Sequence, residues 1–154
     1  MGRTALTTLD AALAGVTALG FDTAPLIYFI ERHPFYGVLM RELFRRVDIG
    51  AIAGYTSTIT VAEVLTKPSQ VQDDLLARRY RTLLLRSRNF IVGPVDSVIA
   101  DTAAEIRARY RLRTRDALQL ATAMQAGCEA FLTNDDALRR VRDIRVLTLD
   151  ELEQ

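Results

Sequence analysis

The sequence is poor in the residues that staple, redox-tune or metallate small proteins: one cysteine (Cys128), one histidine (His33), one lysine (Lys67) and no tryptophan among 154 residues. A single cysteine excludes an intramolecular disulfide and any zinc site built from several thiolates, and it suits a reducing compartment. No stretch approaches the roughly 18 uninterrupted apolar residues of a membrane span. Residues 1–20 carry Asp10 within their apolar part and show no cleavage pattern, so no signal peptide and a cytoplasmic location are expected. A glycine-rich phosphate loop is missing too, since Gly93-Pro94 and residues 50–54 lack both the spacing and the lysine. What remains is an ordinary globular composition, 49% hydrophobic and 25% charged. A chain of this length buries roughly 68–70% of its unfolded surface, enough for one core without cross-links. A single domain over 1–154 is expected, with residues 1–15 as a helical N-terminal extension.

The formal net charge of +1 conceals an uneven distribution. Residues 1–77 carry −2, residues 78–115 carry +7 and residues 116–154 carry −4. All the cations but Lys67 are arginines. Two readings of the arginine-rich middle stand side by side: solvated helix faces, or a track for phosphate oxygens, which guanidinium forks match in shape. In the second reading Arg78, Arg79, Arg86, Arg113 and Arg115 would follow a run of phosphates.

Short apolar runs alternate with longer segments of helical period. Strands are predicted over Val16–Phe21, Tyr55–Thr58, Phe90–Val92, Ala130–Thr133 and Arg145–Leu149. Helices are predicted from Pro25 to about Arg32, over Tyr36–Val47, over Thr60–Thr66 with Pro68 as the stop, and over Val71–Ser87. In the last of these, Leu75, Leu76, Leu83 and Leu84 face inward and the arginines outward. Further helices are predicted over Asp96–Tyr110, Thr114–Ala126 (closed by Gly127) and Asp135–Val141. Such alternation implies an α/β fold of three layers, with a central, mostly parallel sheet flanked by helices.

In a sheet of that kind the functional crevice lies beyond the carboxyl ends of the strands. Asp22 follows the first strand directly, and Asp135 follows the fourth across Thr133 and Asn134. Glu63 interrupts the apolar, small-residue run 59–65, and Asp116 opens a helix whose next residues are core-like. A carboxylate beside a buried face must be paired or bound to a cation. Each acid also has a plain reading: Asp22, Asp135 and Asp136 as helix caps, Asp116 as a first-turn acid favoured by the helix dipole. Four unpaired carboxylates in one pocket would repel, so the metal-free site should hold a proton or a cation, and neutralising one acid should raise metal-free stability. His33, in a turn beside Pro34, reads as an ordinary exposed histidine, and Cys128 as a buried small residue.

Four segments together resemble the acidic motifs of PIN-domain ribonucleases, in particular the VapC-type toxins of toxin–antitoxin pairs: residues 21–28 (FDTAPLIY), 57–64 (STITVAEV), 115–123 (RDALQLATA) and 131–135 (FLTND). The resemblance runs from about Gly20 to Leu149. It implies an endoribonuclease that hydrolyses RNA phosphodiester bonds with water activated by Mg²⁺ or Mn²⁺, the ions that an all-oxygen donor set selects. Asp22, Glu63, Asp116 and Asp135 would be the catalytic metal ligands, with Thr23, Thr133, Asn134 and Asp136 supporting or supplementing them. Arg113 and Arg115 are candidates for holding RNA phosphates. The family usually has a polar residue where Ala24 stands, so a hydrogen bond behind the metal ligands is expected to be missing. The resemblance further implies a protein antitoxin that sets an arginine or lysine among the acids, with a helix against Leu39, Leu43 and Phe44, which otherwise read as plain core; a homodimer is also expected. Two other readings remain: an RNA-processing nuclease without antitoxin, and a PIN scaffold that binds RNA or a partner without cutting. An aspartyl phosphotransferase centred on Asp22 fits poorly, because no second acid follows closely and Lys67 is the only lysine.

Overall fold

The computed structural model describes residues 8–153. Five strands, β1 (Ala18–Phe21), β2 (Ala53–Ser57), β3 (Phe90–Gly93), β4 (Ala130–Thr133) and β5 (Arg145–Thr148), form one sheet in the order β3-β2-β1-β4-β5. Every pairing is parallel, with Leu19 opposite Gly54 on one side and Ala130 on the other. From β1 the chain steps outward through β2 and β3, then returns to lay β4 on the free side of β1. The direction of winding therefore reverses at β1, and the crevice belonging to that reversal opens at the carboxyl ends of β1 and β4.

The helices are α1 (residues 8–12), α2 (Thr23–Ile30), α3 (Gly37–Asp48), α4 (Thr58–Gln70), α5 (Asp74–Arg86), α6 (Ser97–Tyr110), α7 (Thr114–Gln125) and α8 (Leu149–Glu153), with a 3-10 turn over Asp136–Arg140. They cover both faces of the sheet. On one face Leu19 and Phe21 pack with Leu26, Met40, Leu43, Tyr80 and Leu84; on the other Phe131 packs with Ile106, Leu120 and Leu138. Burying each such side chain contributes roughly 1.5–3 kcal/mol, the main term holding the layers together. Gly20 lets α7 lie directly on β1: a Cβ there would stand 2.7 Å from the Cβ of Ala123. That close approach brings the start of α7 to the end of β1. Among the described residues no helix is long and apolar enough to cross a membrane.

Several boundaries differ from those expected. Helix α4 continues through Pro68 to Gln70, because Thr60, Val64 and Pro68 form its buried stripe and the proline sits in the last turn, where one lost hydrogen bond is offset by packing. Val71 and Gln72 therefore belong to the turn before α5, which Asp73 caps by accepting from the Leu76 N–H at 3.1 Å. Leu75 is exposed rather than inward, since the buried stripe of α5 is Ala77, Tyr80, Leu83 and Leu84. The segment after Asp135 is 3-10 rather than α, and α8 follows β5 where only strand was expected. Of the expected N-terminal helix, residues 8–12 are helical and bring Leu9 into the core, while residues 1–7 lie outside the described residues. Leu39, Leu43 and Phe44 are buried core residues on α3, so of their two readings the plain one holds.

Candidate active site

Each acid is delivered by a strand end or a helix start. Asp22 directly follows β1 and caps α2, accepting from the Thr23 N–H at 2.8 Å, as its plain reading has it. Its other oxygen accepts from the Thr133 hydroxyl, at the end of β4, at 2.8 Å. Ser57 caps α4 by accepting from the Ile59 N–H at 3.1 Å, which sets Glu63 in the second turn of that helix. Asp116 lies in the first turn of α7 and is 3% exposed, against 5% for Asp22. Asp22, Glu63 and Asp116 come together; Asp135 stands to one side, capping the 3-10 turn through the Ala137 N–H at 2.9 Å.

The cation that the three gathered acids require is internal. Arg115 Nη2 lies 3.0 Å from Asp22 Oδ1 and 2.7 Å from Glu63 Oε1, and Nε lies 2.8 Å from Glu63 Oε2. Nη1 donates to Asp116 Oδ1. One guanidinium thus ties three carboxylates that the sequence sets far apart, a geometry that its planar fork permits and an ammonium would not. Burial pushes the Glu63 carboxyl up, but the hydrogen bonds from Arg115 and Thr23 and the charges of Arg115 and Arg113 outweigh it and leave the group below its ordinary value. Burial works against the Arg115 charge, yet Glu63 and Asp22 more than compensate and hold the guanidinium firmly protonated. Among the described residues no three acidic side chains stand at metal-coordination spacing as placed; Arg115 fills the space between them.

Behind the acids runs a chain of buried hydroxyls. The Thr23 hydroxyl donates to Glu63 Oε1 at 2.6 Å. Gln119 Nε2 donates to Thr23 Oγ1 at 3.1 Å and to Thr60 Oγ1 at 2.8 Å, while its carbonyl accepts from the Ser57 hydroxyl at 2.5 Å. Thr60 meets Thr56 at 2.8 Å, and Thr56 donates to the Phe21 carbonyl at 2.9 Å. No buried side-chain polar atom among the described residues lacks a partner, so the network is closed. Thr23 thereby supplies the support that Ala24 cannot. Gln119, Thr60, Thr56 and Ser57 escaped the sequence reading; the available signal was a glutamine on the otherwise apolar stripe of α7, one turn beyond Asp116.

A cleft of about 580 Å³ opens at the Asp22 and Arg115 side of this cluster, lined also by Thr23, Arg113, Thr133, Asn134, Asp135 and Asp136. Arg113 is 69% exposed at its rim, with Nε 2.9 Å from Asp116 Oδ2 and Nη2 3.8 Å from Asp135 Oδ2. Asn134 donates to the Tyr28 hydroxyl at 2.9 Å. The arginines of the middle segment do not form one track: Arg86 closes α5 and Arg88 precedes β3, at the amino ends of the strands, whereas Arg113 and Arg115 stand with the acids at the carboxyl ends. His33 is half-buried rather than plainly exposed. Its Nδ1 accepts from the Phe35 and Tyr36 N–H groups at 3.0 and 3.1 Å, and its ring packs 4.4 Å from that of Tyr28, so it staples the turn. Cys128 is buried as expected, which pushes its thiol up to about 12.

A family model described as PIN domain matches residues 21–144, a span containing all four acids. The chain belongs to the PIN domain family. Among solved structures it is similar to a toxin–antitoxin complex from Klebsiella pneumoniae, with 22% identity over 85% of this chain and 97% of that chain and a TM-score of 0.66. It is also similar to VapBC2 from Rickettsia felis bound to a DNA fragment from their promoter (16% identity, 85% of this chain and 98% of that chain, TM-score 0.67). A third similar structure is DNA-bound VapBC from Salmonella typhimurium (20% identity, 86% of this chain and 98% of that chain, TM-score 0.63). At these identities the likeness is one of fold. No curated protein matches the chain. The PIN fold accounts for the all-parallel sheet and for where its strand ends meet. Its donor set here is oxygen throughout, with no histidine or thiolate in contact, and fits Mg²⁺ or Mn²⁺ better than Zn²⁺.

Proposed function

We propose that this PIN domain is a divalent-metal-dependent endoribonuclease and the toxin of a toxin–antitoxin pair. The observation that carries the proposal is the meeting of Asp22, Glu63 and Asp116 around one point at the carboxyl ends of the strands, with hydroxyls fixing the first two. PIN domains are nucleases, and the solved structures to which the chain is similar are toxin–antitoxin complexes. Asp22, Glu63 and Asp116 would hold Mg²⁺ or Mn²⁺, with Asp135 reaching the same ion or a second one and Asp136 supplementing it. The ion, when bound, supplies the Lewis acidity that turns water into a nucleophile for a phosphodiester. The chain's own part is orientation. Thr133 and the Thr23 N–H fix Asp22, and the Thr23 hydroxyl fixes one oxygen of Glu63. Arg113, exposed at the rim, takes phosphate oxygens of the RNA, and Arg115 joins it once released from the acids.

The same negative cluster would receive an arginine or lysine of an antitoxin, which must then compete with Arg115. A homodimer and a cytoplasmic location complete the proposal. The occupancy of the cluster by Arg115 favours one other reading, a PIN scaffold that binds RNA without cutting. Cleavage of single-stranded and looped RNA by purified protein in EDTA, Mg²⁺ and Mn²⁺ separates the two. Divalent-dependent cleavage that Glu63→Gln and Asp116→Asn abolish while both variants stay folded is the expected result. Cleavage that survives either substitution sinks the assignment.

A further inference from the structure

We propose that Arg115 is a displaceable counter-ion of the acid cluster: a positioning residue that gathers Asp22, Glu63 and Asp116 in the metal-free protein and yields their oxygens when a divalent cation enters. The inference rests on the metal-site reading above and concerns how that site is filled. One nitrogen carries the argument. Arg115 Nη2 is shared between Asp22 Oδ1 at 3.0 Å and Glu63 Oε1 at 2.7 Å, with Thr23 Oγ1 at 3.3 Å. Mg²⁺ draws its oxygens to roughly 2.0–2.1 Å. An ion bridging the same two oxygens from the side that the guanidinium occupies would crowd that nitrogen, and both carry positive charge, so ion and guanidinium compete for these oxygens.

The exchange does not require the fold to move. Arg115 is the second residue of α7, its side chain is 28% exposed, and it already lines the cleft, so rotation about its own torsions carries the guanidinium out while the helix stays. Nor would the site collapse afterwards. Asp22 keeps the Thr23 N–H and the Thr133 hydroxyl, Glu63 keeps the Thr23 hydroxyl, and Asp116 keeps Arg113 Nε at 2.9 Å. Each carboxylate thus has a holder other than Arg115, as expected of a site built to change its cation. Entry of the metal would also free the one arginine nearest the reacting centre for a substrate phosphate, coupling metal loading to RNA capture.

The test follows the Arg115 Nε–Hε resonance of ¹⁵N-labelled protein during titration with Mg²⁺, assigned by its disappearance in Arg115→Lys. Calorimetric titrations of wild type, Arg115→Gln and Arg113→Gln with Mn²⁺ run in parallel. The resonance should move to the position of a solvent-exposed arginine with the same Mg²⁺ dependence as the Thr23 amide. Arg115→Gln should bind Mn²⁺ about tenfold more tightly, the equivalent of one charge-assisted hydrogen bond no longer broken on loading. Arg113→Gln should tighten binding clearly less. Three results overturn the exchange alone: Mg²⁺ saturating the Thr23 amide while the Arg115 resonance stays in place, Arg115→Gln binding Mn²⁺ no better than wild type, or Arg113→Gln tightening it as much, which would mark a general effect of charge. Absence of binding by wild type and both glutamine variants overturns the metal-site reading itself. Should Arg115→Gln fail to fold, the wild-type resonance decides.

Discussion

Replacing Gln119 by leucine should destabilise the protein and weaken cleavage together, although Gln119 touches none of the four acids. The side chain is 2% exposed and makes three hydrogen bonds, to Ser57, Thr23 and Thr60. Leucine fills nearly the same volume, so the packing term is small. Thr23 keeps its bond to Glu63 and Thr60 keeps Thr56, but the Ser57 hydroxyl, at 0% exposure, loses the only acceptor of its proton among the described residues. One buried orphaned donor costs about 1–3 kcal/mol. At about 2–4 °C per kcal/mol for a chain of this length, the melting temperature should fall by roughly 5 °C. Thermal melts in EDTA read the first effect and RNA cleavage rates the second. Ser57→Ala removes the orphan, so the double variant should lose less stability than the two single variants combined. A melting temperature unchanged in Gln119→Leu, or strict additivity in the double variant, would refute the claim that Gln119 holds the hydroxyl chain in place.

Two shorter predictions concern charge. If Arg113 contacts the RNA backbone, Arg113→Ala in a Glu63→Gln background should weaken binding across RNA sequences and flatten the plot of log affinity against log salt by about 0.7; an unchanged slope returns Arg113 to a solvated rim charge. On α3, the hydrogen bonds from Arg45, aided by Arg46 and opposed by burial, hold Glu42 down at about 2, from an ordinary 4.5. A depressed carboxyl stabilises the fold above its unfolded value and ceases to as the pH falls through its folded value. The stability gap between wild type and Glu42→Gln should therefore be complete at neutral pH and close between about pH 4.5 and pH 2, measured by urea unfolding across that range.

The parallel sheet was legible because short apolar runs alternate with helical periods, whereas its strand order, which depends on contacts between distant segments, was not. Asp22 and Asp135 were legible as acids at strand ends, and Glu63 and Asp116 as carboxylates set on apolar patterns; that three of the four gather and Asp135 stands aside was not legible. Nor was the role of Arg115. In sequence it is one of several arginines at the start of a helix, and nothing local distinguishes a solvated guanidinium from one turned onto carboxylates contributed 52 and 93 residues away. Gln119 was hidden for the same reason, since its partners come from β2, α2 and α4. Pro68 misled because the penalty for an internal proline was weighed without the burial that offsets it, and Leu75 because only packing decides which leucines of α5 form its inward stripe.

The internal arginine also reverses the sign of an electrostatic expectation. Unpaired carboxylates repel, and on that ground neutralising one of them should raise metal-free stability. Asp116, however, is 3% exposed and accepts from Arg115 Nη1 and, at 2.9 Å, from Arg113 Nε. Asparagine in its place keeps one acceptor oxygen, but it puts an N–H₂ donor against guanidinium donors and leaves the half-buried Arg115 with less opposing charge. Asp22 and Glu63 stay paired with Arg115 in either case, so little repulsion is left to relieve. Losing the charged side of a buried, charge-assisted hydrogen bond costs about 1.5–3 kcal/mol. Asp116→Asn should therefore melt several degrees below wild type in EDTA. Mn²⁺ should then widen the gap, because an ion that binds the native state stabilises wild type by mass action and the variant has lost a ligand. A variant that melts above wild type in EDTA would show that repulsion, and not pairing with Arg115, governs the metal-free cluster.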